Sequence, residues 1–461
     1  MTIGGAQKLT CESSVSSLPP RSYTVEYTGD GEFAKRYPAL ASFPFIMDSR
    51  PGYHRLGNRY LIHRGLGLWT PKWRGFARIP TPITMENYAE WLANFLEWVD
   101  LRGVDVSTCD YNTHILGRYQ KEMLEGLWSR TGKGLSPATV NARVLQACDY
   151  LLWLADSGKR VAFQVPYTET TIRFGSAFSS IGHRGKKVRV RKGKVRAAIK
   201  ALRMPTDADL HDWLKRVRDK FGETLALMCE SILRTAVRRQ ELVCLRLDTL
   251  PKRRQDWDIS NPQAPPAEQQ VRIKLKFGTK GPSYGTDHGD KIGPDRDILI
   301  PLTLALKWDE YRRTARNRAF AKWMEGVKGA TRVDHAKESV HLFLREGDGI
   351  RFTGPDFYSA WVGVERPIAG WSPHKGRHWW ACSVLWRELK KHKDPALLSN
   401  ETAAALIESM ALSIIRLQIQ PQLGHATDAT TMIYLRWVMG MLGLPVSLAD
   451  EDEDSADAEG G

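Results

Sequence analysis

A histidine and a tyrosine stand nine positions apart in LGHATDATTMIYLR, and both side chains can take part in proton transfer or nucleophilic attack. In one straight helix, residues spaced by about 100° each would place His425 and Tyr434 on opposite faces. A shared site therefore needs a break, and Gly424 can end one helix while Thr427 or Asp428 caps the next. The alternative for Tyr434 is a core tyrosine whose hydroxyl has a hydrogen-bond partner.

The stretch WSPHKGRHWWACSVLW contains a second group of residues that can act on an anion. Ser372 is a good N-cap and Pro373 a good first helical residue, so His374 and Arg377 share one face of the first turn. The free backbone N–H groups and the positive end of the helix dipole there suit a phosphate oxygen. A single histidine–arginine pair at this spacing is more often an ordinary surface pair.

A third group lies in RTAVRRQELVCLR, where Arg238 and Glu241 share a helical face. The carboxylate can hold the guanidinium in place, as supporting groups do around reactive ones. The alternative is an ordinary ion pair that contributes a few tenths of a kcal/mol, at roughly the level of exposed pairs.

The chain carries a large excess of positive charge. It contains 67 lysines and arginines against 52 aspartates and glutamates, a formal net charge of +15. The segment DEDEDSADAEGG at its end is acidic, so the remainder is more basic still. This balance is typical of a protein that binds nucleic acid, although some basic proteins are merely soluble.

Several classes of protein are disfavoured by the sequence. The 6 cysteines include no CxxC pair, which argues against a zinc site or a disulfide framework. No apolar run reaches about 18 residues, and MTIGGAQKLTCESS lacks the basic-then-apolar pattern of a signal peptide. We expect a cytoplasmic protein with no membrane partner and no metal site.

Hydrophobic periodicity predicts a mainly α-helical protein with a small inserted β-sheet. Helical patterns begin at Thr84, Asn112 and Ser136 and cover most of 206–250 and 303–445. Strand patterns occur at 21–28, 270–277, 296–302 and 340–346. We expect an N-terminal region of unknown role, a helical unit, a basic linker, a second helical domain and an acidic disordered tail, at 1–80, 81–180, 181–204, 205–448 and 449–461.

The linker contains RGKKVRVRKGKVRAAIK, a run without a single acidic residue. Basic runs are often solvated linkers, but a flexible basic strap between two folded units can also follow a phosphate backbone at low ordering cost. We therefore predict DNA contacts from its basic side chains, which are Arg184, Lys186, Lys187, Arg189, Arg191, Lys192, Lys194 and Arg196.

In this order, RTAVRRQEL, the lysine of TKG, HKGRH and LGHATDATTMIY resemble the motifs of the tyrosine recombinase, or phage integrase, family. Its usual patterns are close to TGLRxxEL, a hairpin lysine, HxLRH and LGHxxxxTTxxY, and the last agrees here at every fixed position. LSPATVNARVLQACDYLLWL resembles the end of the family's core-binding domain. The resemblance implies a helical core-binding domain followed by a tyrosine-recombinase catalytic domain.

The resemblance also implies a reaction in which Tyr434 attacks a DNA phosphate and forms a 3′-phosphotyrosine. Arg238 and Arg377 would bind the nonbridging oxygens, because guanidinium groups can grip them in pairs. The exchange of similar esters is nearly thermoneutral, so no cofactor is implied.

Proton transfer would fall to the remaining members of the motifs. Lys280 would protonate the departing 5′-oxygen, and His374 would help the tyrosine to lose its proton. His425 would hydrogen-bond the phosphate, while Glu241 and His378 would support these groups.

The sequence departs from the family at several points. Ala236 replaces the usual glycine before the first arginine, and Gly376 with Trp379 replaces the usual leucine and threonine around the second. An insertion around 390–410 can be a partner-binding helix or an exposed loop. The general acid has rivals in the hairpin, which are Lys274, Lys276 and Lys291.

We interpret the chain as a site-specific recombinase that integrates, excises or transposes a mobile element in a bacterium, acting in the cytoplasm on the nucleoid. Its partners would be double-stranded DNA, three further copies of itself in a homo-tetramer on two DNA sites, and accessory proteins. A type IB topoisomerase shares this chemistry, and a noncatalytic DNA-binding accessory protein would keep only the fold. Resolution of chromosome or plasmid dimers is a second role for the same reaction.

Overall fold

The computed structural model describes residues 22–29, 31–49, 52–72, 79–172, 186–196, 202–279, 292–329, 331–391, 400–425 and 432–442. Of these, residues 22–172 and 186–196 belong to one compact unit, and residues 202–442 belong to a second. The described residues are mainly helical with small antiparallel sheets, as the periodicity predicts.

The first unit packs helices against a small antiparallel sheet. Its strands are β1 (Tyr23–Tyr27), β2 (Pro44–Asp48) and β3 (Gly52–Tyr53), paired in that order. Its helices are α1 (Glu32–Arg36), α2 (Arg55–Gly65), α3 (Pro82–Leu101), a π-helical segment (Tyr111–Gln120) that continues into α4 (Lys121–Glu125), and α5 (Pro137–Asp156).

Capping residues set where the two long helices of this unit begin. Ser136 caps α5 as predicted, because its hydroxyl accepts the Thr139 N–H. The start of α3 lies earlier than predicted, since Thr81 is its N-cap and accepts the N–H of Thr84. Pro82 at the first helical position lacks an N–H, which is no loss at a helix start.

Among the residues expected to form a separate N-terminal region, those described between 22 and 72 are part of the first unit. Phe43, Ile46 and Tyr60 are buried in the same hydrophobic core as Leu92 of α3 and Leu151 of α5. The boundary expected near residue 80 therefore does not separate two cores within the described residues.

The segment expected to be a flexible linker is partly a β-strand. Strand β4 (Tyr167–Ile172) pairs antiparallel with β5 (Lys186–Arg191). Arg191 is 6% exposed and donates hydrogen bonds to Tyr111, Gln120 and Asn141, at 2.6, 3.0 and 3.1 Å. The interpretation as a flexible strap is therefore wrong for this strand, because β5 is paired with β4 and side chains of the first unit hold Arg191 in place.

The second unit surrounds a three-stranded antiparallel sheet with helices. The strands β6 (Asp258–Ile259), β7 (Gln270–Phe277) and β8 (Ile292–Pro301) pair in that order. The helices are α6 (Asp207–Phe221), α7 (Glu223–Thr235), α8 (Arg239–Val243), α9 (Leu302–Arg313), α10 (Ala315–Trp323), α11 (Thr331–Glu338), α12 (Gly354–Val362), α13 (Pro373–Lys390), α14 (Asn400–Ile414), a π-helical segment (Ile415–Ile419), α15 (Gln420–Leu423) and α16 (Met432–Met441).

Two sequence expectations for this unit need correction. The strand expected at 340–346 is reduced to isolated bridges that join His341 to Arg246 and Leu344 to Arg351. The second half of the 390–410 insertion is helix α14, whose Ile407 is buried in the same core as Tyr434. This half of the insertion is therefore not an exposed loop; residues 392–399 lie outside the described part of the chain.

No helix in the described part of the chain combines the length and the apolar character needed to cross a membrane.

Candidate active site

Arg238 is held at the junction of two helices of the second unit. Helix α7 ends at Ala236, whose φ of 54° and ψ of 27° are left-handed, and Arg238 is then the N-cap of α8. This sharp turn places Arg238 at the end of α15, where its side chain donates to the carbonyls of Leu423 and Gly424. An alanine in this conformation is strained by about 1–2 kcal/mol, because its Cβ approaches the following carbonyl. A glycine at this position would avoid that contact.

Glu241 lies at the centre of the site and is fully buried. Its carboxylate accepts the backbone N–H of Arg238 at 2.6 Å and the Nη1 of the same residue at 2.8 Å. Arg296 of β8 donates to both oxygens, at 2.7 and 3.3 Å, and Arg377 of α13 lies 3.9 Å away. Burial would raise the pKa of Glu241, but Arg296, Arg238 and Arg377 outweigh it and lower the pKa below its usual value. The carboxylate stays ionised and anchors all three guanidinium groups.

Arg377 is the fifth residue of α13, just past the first turn, and Ser372 is the N-cap and Pro373 the first residue, as predicted. Its side chain is almost completely buried and donates to the carbonyls of Ala236 and Leu423, the latter at 2.9 Å. Burial lowers the pKa of Arg377 to about 9, so the group is still charged at neutral pH.

The end of α15 brings His425 to the arginines. The helix ends at Gly424, whose φ of 63° is left-handed, which is the break that the sequence predicts. The Leu423 carbonyl accepts from both Arg238 and Arg377, at 3.1 and 2.9 Å, and the Gly424 carbonyl accepts from Arg238 at 3.0 Å. Cations at a helix C-terminus satisfy carbonyls that have no partner within the helix. The predicted caps Thr427 and Asp428 lie outside the described residues.

His425 lies near Arg377 and Arg238, and its ring nitrogen Nδ1 makes no hydrogen bond to the described residues. Its backbone N–H donates to Gln420, whereas its Nδ1 is buried without a hydrogen-bond partner in the part of the chain that is described. Burial, assisted by Arg377 and Arg238, lowers the pKa of His425 to about 3. The imidazole is therefore neutral at physiological pH and has one ring nitrogen available to a ligand.

Tyr434 of α16 is 1% exposed, and its hydroxyl lies 2.8 Å from the Nδ1 of His378. Burial raises the pKa of the Tyr434 hydroxyl, which Arg377 opposes. Burial also lowers the pKa of His378 to about 3, with a further contribution from His374. A neutral His378 is thus placed to accept the tyrosine proton.

The contacts of the two α13 histidines differ from those that their expected roles would suggest. We expected His374 to assist Tyr434, with His378 in support. The structure places His378 against the tyrosine hydroxyl, and the ring centroid of His374 lies 4.4 Å from that of His378. The two residues are one helical turn apart, so a single helix face carries both, and only the packing of α16 selects between them.

The charges of the cluster do not balance. Arg238, Arg296 and Arg377 share one carboxylate, that of Glu241, and the nearby histidines are neutral. Two positive charges therefore remain among these four groups. A buried excess of guanidinium groups is a strong site for a phosphate, since charge-assisted hydrogen bonds strengthen in a low-dielectric environment.

The predicted general acid, Lys280, lies outside the described residues, as does its rival Lys291, while the backbones of Lys274 and Lys276 lie on β7. The described residues of this hairpin end at Thr279. Just before it, Gly278 packs closely against the backbone of α8. A Cβ at Gly278, whose φ is 73°, would stand 2.4 Å from the Gln240 carbonyl oxygen. The chain therefore leaves the sheet next to the helix that begins at Arg238.

Among the predicted linker residues, the described side chains divide into buried and exposed. Arg191 is buried, whereas Arg189, Lys192 and Arg196 are exposed. For Lys186 and Lys187 only the backbone in β5 is described, Lys194 is partly buried, and Arg184 lies outside the described residues.

Arg296 is the site residue that the sequence interpretation missed. It stands at the start of the predicted strand RDILIPL and shares the inward face of β8 with Ile298 and Ile300, which are buried. The signal that could have identified it is an arginine at an inward-facing position of an amphipathic strand.

No group of three or more histidine, cysteine, aspartate or glutamate side chains within the described ranges is arranged to hold a metal ion.

Comparison with known proteins gives likenesses at the level of structure alone. No family model and no curated protein matches the chain. The Tn1549 transposon integrase in complex with transposon right end DNA is similar over 84% of this chain and 98% of that chain, at 16% identity and a TM-score of 0.44. The XerH site-specific recombinase bound to difH substrate covers 82% and 90%, at 14% identity and a TM-score of 0.43. The XerA recombinase covers 84% and 98%, at 14% identity and a TM-score of 0.29.

Proposed function

We propose that this chain is a site-specific DNA recombinase that cuts and rejoins DNA through a phosphotyrosine at Tyr434. The observation that supports it best is the pairing of the buried Tyr434 hydroxyl with His378, on the helix that also carries Arg377, one of three arginines that share one carboxylate. A nucleophile, a neutral proton acceptor and an excess of positive charge are the parts that transfer of a phosphodiester to a hydroxyl requires.

In the cleavage step the Tyr434 oxygen attacks the phosphorus of the scissile phosphodiester, and its proton passes to Nδ1 of His378. The bond from phosphorus to the 5′-oxygen breaks, and the 3′-phosphate remains on the tyrosine. The departing 5′-oxygen takes a proton, for which we propose Lys280 as the donor. In the rejoining step the 5′-hydroxyl of another strand attacks the phosphotyrosine and the protons return.

The arginines stabilise the charge that develops on the nonbridging oxygens. Arg238 and Arg377 both donate to the Leu423 carbonyl, and this shared acceptor holds their guanidinium planes in place. Pre-organised donors act without reorganisation during the reaction, and the loss of one such donor typically costs about 100-fold in rate. The unused Nδ1 of His425 is available to donate a further hydrogen bond to the phosphate.

The assembly and the biological role are part of the same proposal. Each protomer contributes one nucleophile, and exchange of four strands therefore calls for a homo-tetramer on two DNA sites, with accessory proteins as further partners. Integration, excision or transposition of a mobile element in a bacterium is the role we propose, with the protein acting at the nucleoid.

The test uses DNA from the flanks of the element that encodes the protein, incubated without divalent metal and separated on a denaturing gel. Wild type is expected to form a protease-sensitive covalent adduct that Tyr434→Phe does not form. Tyr311→Phe is the control, because Tyr311 is another buried tyrosine of the same unit, bonded to the backbone of Leu344. Its adduct should remain.

Other outcomes separate the rival functions. DNA binding without an adduct would identify a noncatalytic DNA-binding protein. An adduct accompanied by relaxation of supercoiled DNA of any sequence, without recombinant products, would identify a type IB topoisomerase. An adduct that survives in Tyr434→Phe would show that another residue is the nucleophile.

A further inference from the structure

Arg296 joins two parts of the candidate site that are distant in the sequence. Its side chain is 14% exposed and extends from the inward face of β8. On one side it reaches Glu241 of α8, 55 residues earlier, and on the other it reaches the end of α15, about 125 residues later. One guanidinium therefore connects the helix that begins at Arg238 to the turn that carries His425.

On the α8 side, Arg296 and Arg238 share the same carboxylate. Nη2 of Arg296 donates to Oε2 of Glu241 at 2.7 Å, and Nε lies 3.3 Å from Oε1. Arg238 uses both oxygens as well, through its backbone N–H and its Nη1. With Arg296 removed, half of the hydrogen bonds that orient this buried carboxylate would be lost, and Glu241 would be free to turn away from Arg238.

On the α15 side, Arg296 closes the turn before His425. Its Nη1 donates to the Gln422 carbonyl and lies 3.5 Å from that of Pro421. A Cβ at Gly424 would stand 3.0 Å from Cδ of Arg296 and 3.1 Å from its Nε. The glycine is thus required for close approach of the arginine as well as for its φ of 63°.

Lysine cannot make this set of contacts. The five N–H donors of a guanidinium lie in one plane and point in several fixed directions, whereas an ammonium is a compact charge on a flexible chain. A lysine at position 296 can pair with Glu241 or reach the helix end, but it cannot hold both in one geometry.

We propose that Arg296 is a positioning residue for strand cleavage, which fixes Glu241 and the end of α15 and, through them, Arg238 and His425. This inference rests on the proposed function, because it assigns Arg296 a role in the reaction at that site. Arg296 acts through its neighbours and is not required to touch the DNA.

The test compares single-turnover cleavage by wild type, Arg296→Met and Arg296→Lys on one DNA substrate. We expect cleavage by Arg296→Met to be about 10- to 100-fold slower, the usual effect of losing a group that orients a reactive residue. The dissociation constant for DNA should change much less than the cleavage rate, because the phosphate contacts are assigned to Arg238 and Arg377 and not to Arg296. Arg296→Lys should recover part of the rate.

Arg272→Met is the matched control. Arg272 lies on the adjacent strand β7, and its side chain is half exposed and paired with Asp258 at 3.2 Å. Its loss removes an arginine from the same sheet without touching the site, so cleavage should equal that of wild type. Equal slowing of the Arg272 and Arg296 variants would point to general damage to the sheet and would overturn the proposal.

A double-mutant cycle with Glu241→Gln separates positioning from a general loss of stability. If Arg296 acts through Glu241, the double variant should cleave about as slowly as the slower single variant. Slowing equal to the product of the two single effects would contradict this route. Arg296→Lys is the variant to use if Arg296→Met does not fold.

The proposed function and this inference can fail separately. If wild type forms no adduct, the proposed function fails. The coupling of Arg296 to Glu241 is then tested by the same double-mutant cycle on urea-unfolding midpoints. Simple additivity of the Arg296 and Glu241→Gln effects would then overturn the inference that Arg296 fixes Glu241. With an adduct from wild type, cleavage by Arg296→Met at the wild-type rate would overturn the inference while the recombinase proposal stands.

Discussion

Single residues of the site combine strain with burial. Ala236 is fully buried in a left-handed conformation that residues other than glycine, asparagine and aspartate rarely adopt. Its carbonyl is an acceptor for Arg377, so the strained turn also orients an arginine. Strain of this kind persists where the surrounding contacts over-determine the backbone, which is common in functional sites.

We expect Ala236→Gly to change the free energy of unfolding by less than about 1 kcal/mol. Relief of about 1–2 kcal/mol of strain offsets a lost methyl contact of about 0.8 kcal/mol and the extra entropy of glycine in the unfolded chain. Ala381→Gly, at an equally buried alanine within α13, should cost about 2 kcal/mol because no strain is relieved there. Urea unfolding measures both, and equal costs would show that the turn is not strained.

The buried neutral histidines predict a loss of stability in mild acid. Burial lowers the pKa of His378 and His425 to about 3, so the unfolded chain binds these protons first as the pH falls below about 6.5. Their contribution is fully present above pH 6.5 and should decrease by about 1 kcal/mol for each histidine by pH 5.5.

His378→Gln tests this pH dependence. The variant should lose about half of the decrease between pH 7.5 and 5.5, measured as the shift in urea-unfolding midpoint, because His425 remains. A decrease equal to that of wild type would mean that His378 is not buried in its neutral form.

At the scale of elements, the site is built where the ends of helices meet. The end of α7, the starts of α8 and α13 and the end of α15 converge on Glu241 and Leu423. Two glycines allow this convergence. Gly376 leaves room for Ile232 of α7 against α13, and Gly424 leaves room for the side chain of Arg296, which extends from β8 to the end of α15.

We expect Gly376→Ala to destabilise the second unit by about 1–2 kcal/mol. A Cβ there would stand 2.9 Å from the Trp361 ring and 3.3 Å from Ile232, and this overpacking outweighs the gain in helix propensity of about 1 kcal/mol. Gly440→Ala in α16 is the control, because a Cβ there meets nothing within 4 Å, and it should stabilise by up to about 1 kcal/mol. A stabilised Gly376→Ala would show that the two helices have room to separate.

At the scale of the whole molecule, the net charge of +15 favours association with a polyanion, but not every basic residue serves it. Arg191 is turned into the first unit, whereas Arg189 of the same strand is exposed and lies over the ring of Tyr167. The two arginines are two positions apart and should have different effects when removed.

We expect Arg189→Met to weaken DNA binding and to reduce the slope of log affinity against log salt by about 1. Arg191→Met should destabilise the first unit by about 2–4 kcal/mol, because three buried acceptors lose a charged donor. Fluorescence anisotropy with labelled DNA at several salt concentrations, together with thermal unfolding, separates the effects. A reduced salt slope without destabilisation in Arg191→Met would contradict the structural role.

The sequence by itself determined the helical character of the chain, the N-caps Ser136 and Ser372, and the helix break at Gly424. These features depend on side chains within a few residues of one another, so local periodicity and capping chemistry are enough to predict them. The same local reasoning grouped Arg238 with Glu241 on α8.

Only the tertiary structure decided which of these groups meet. His378 and not His374 contacts Tyr434, 56 residues away, because both histidines share one face of α13 and the packing of α16 selects between them. Arg296 lies 55 residues from Glu241, and alternation along β8 predicts an inward side chain without predicting its partner. The basic run became strand β5 for the same reason, since strand pairing with β4 joins residues that no local pattern connects.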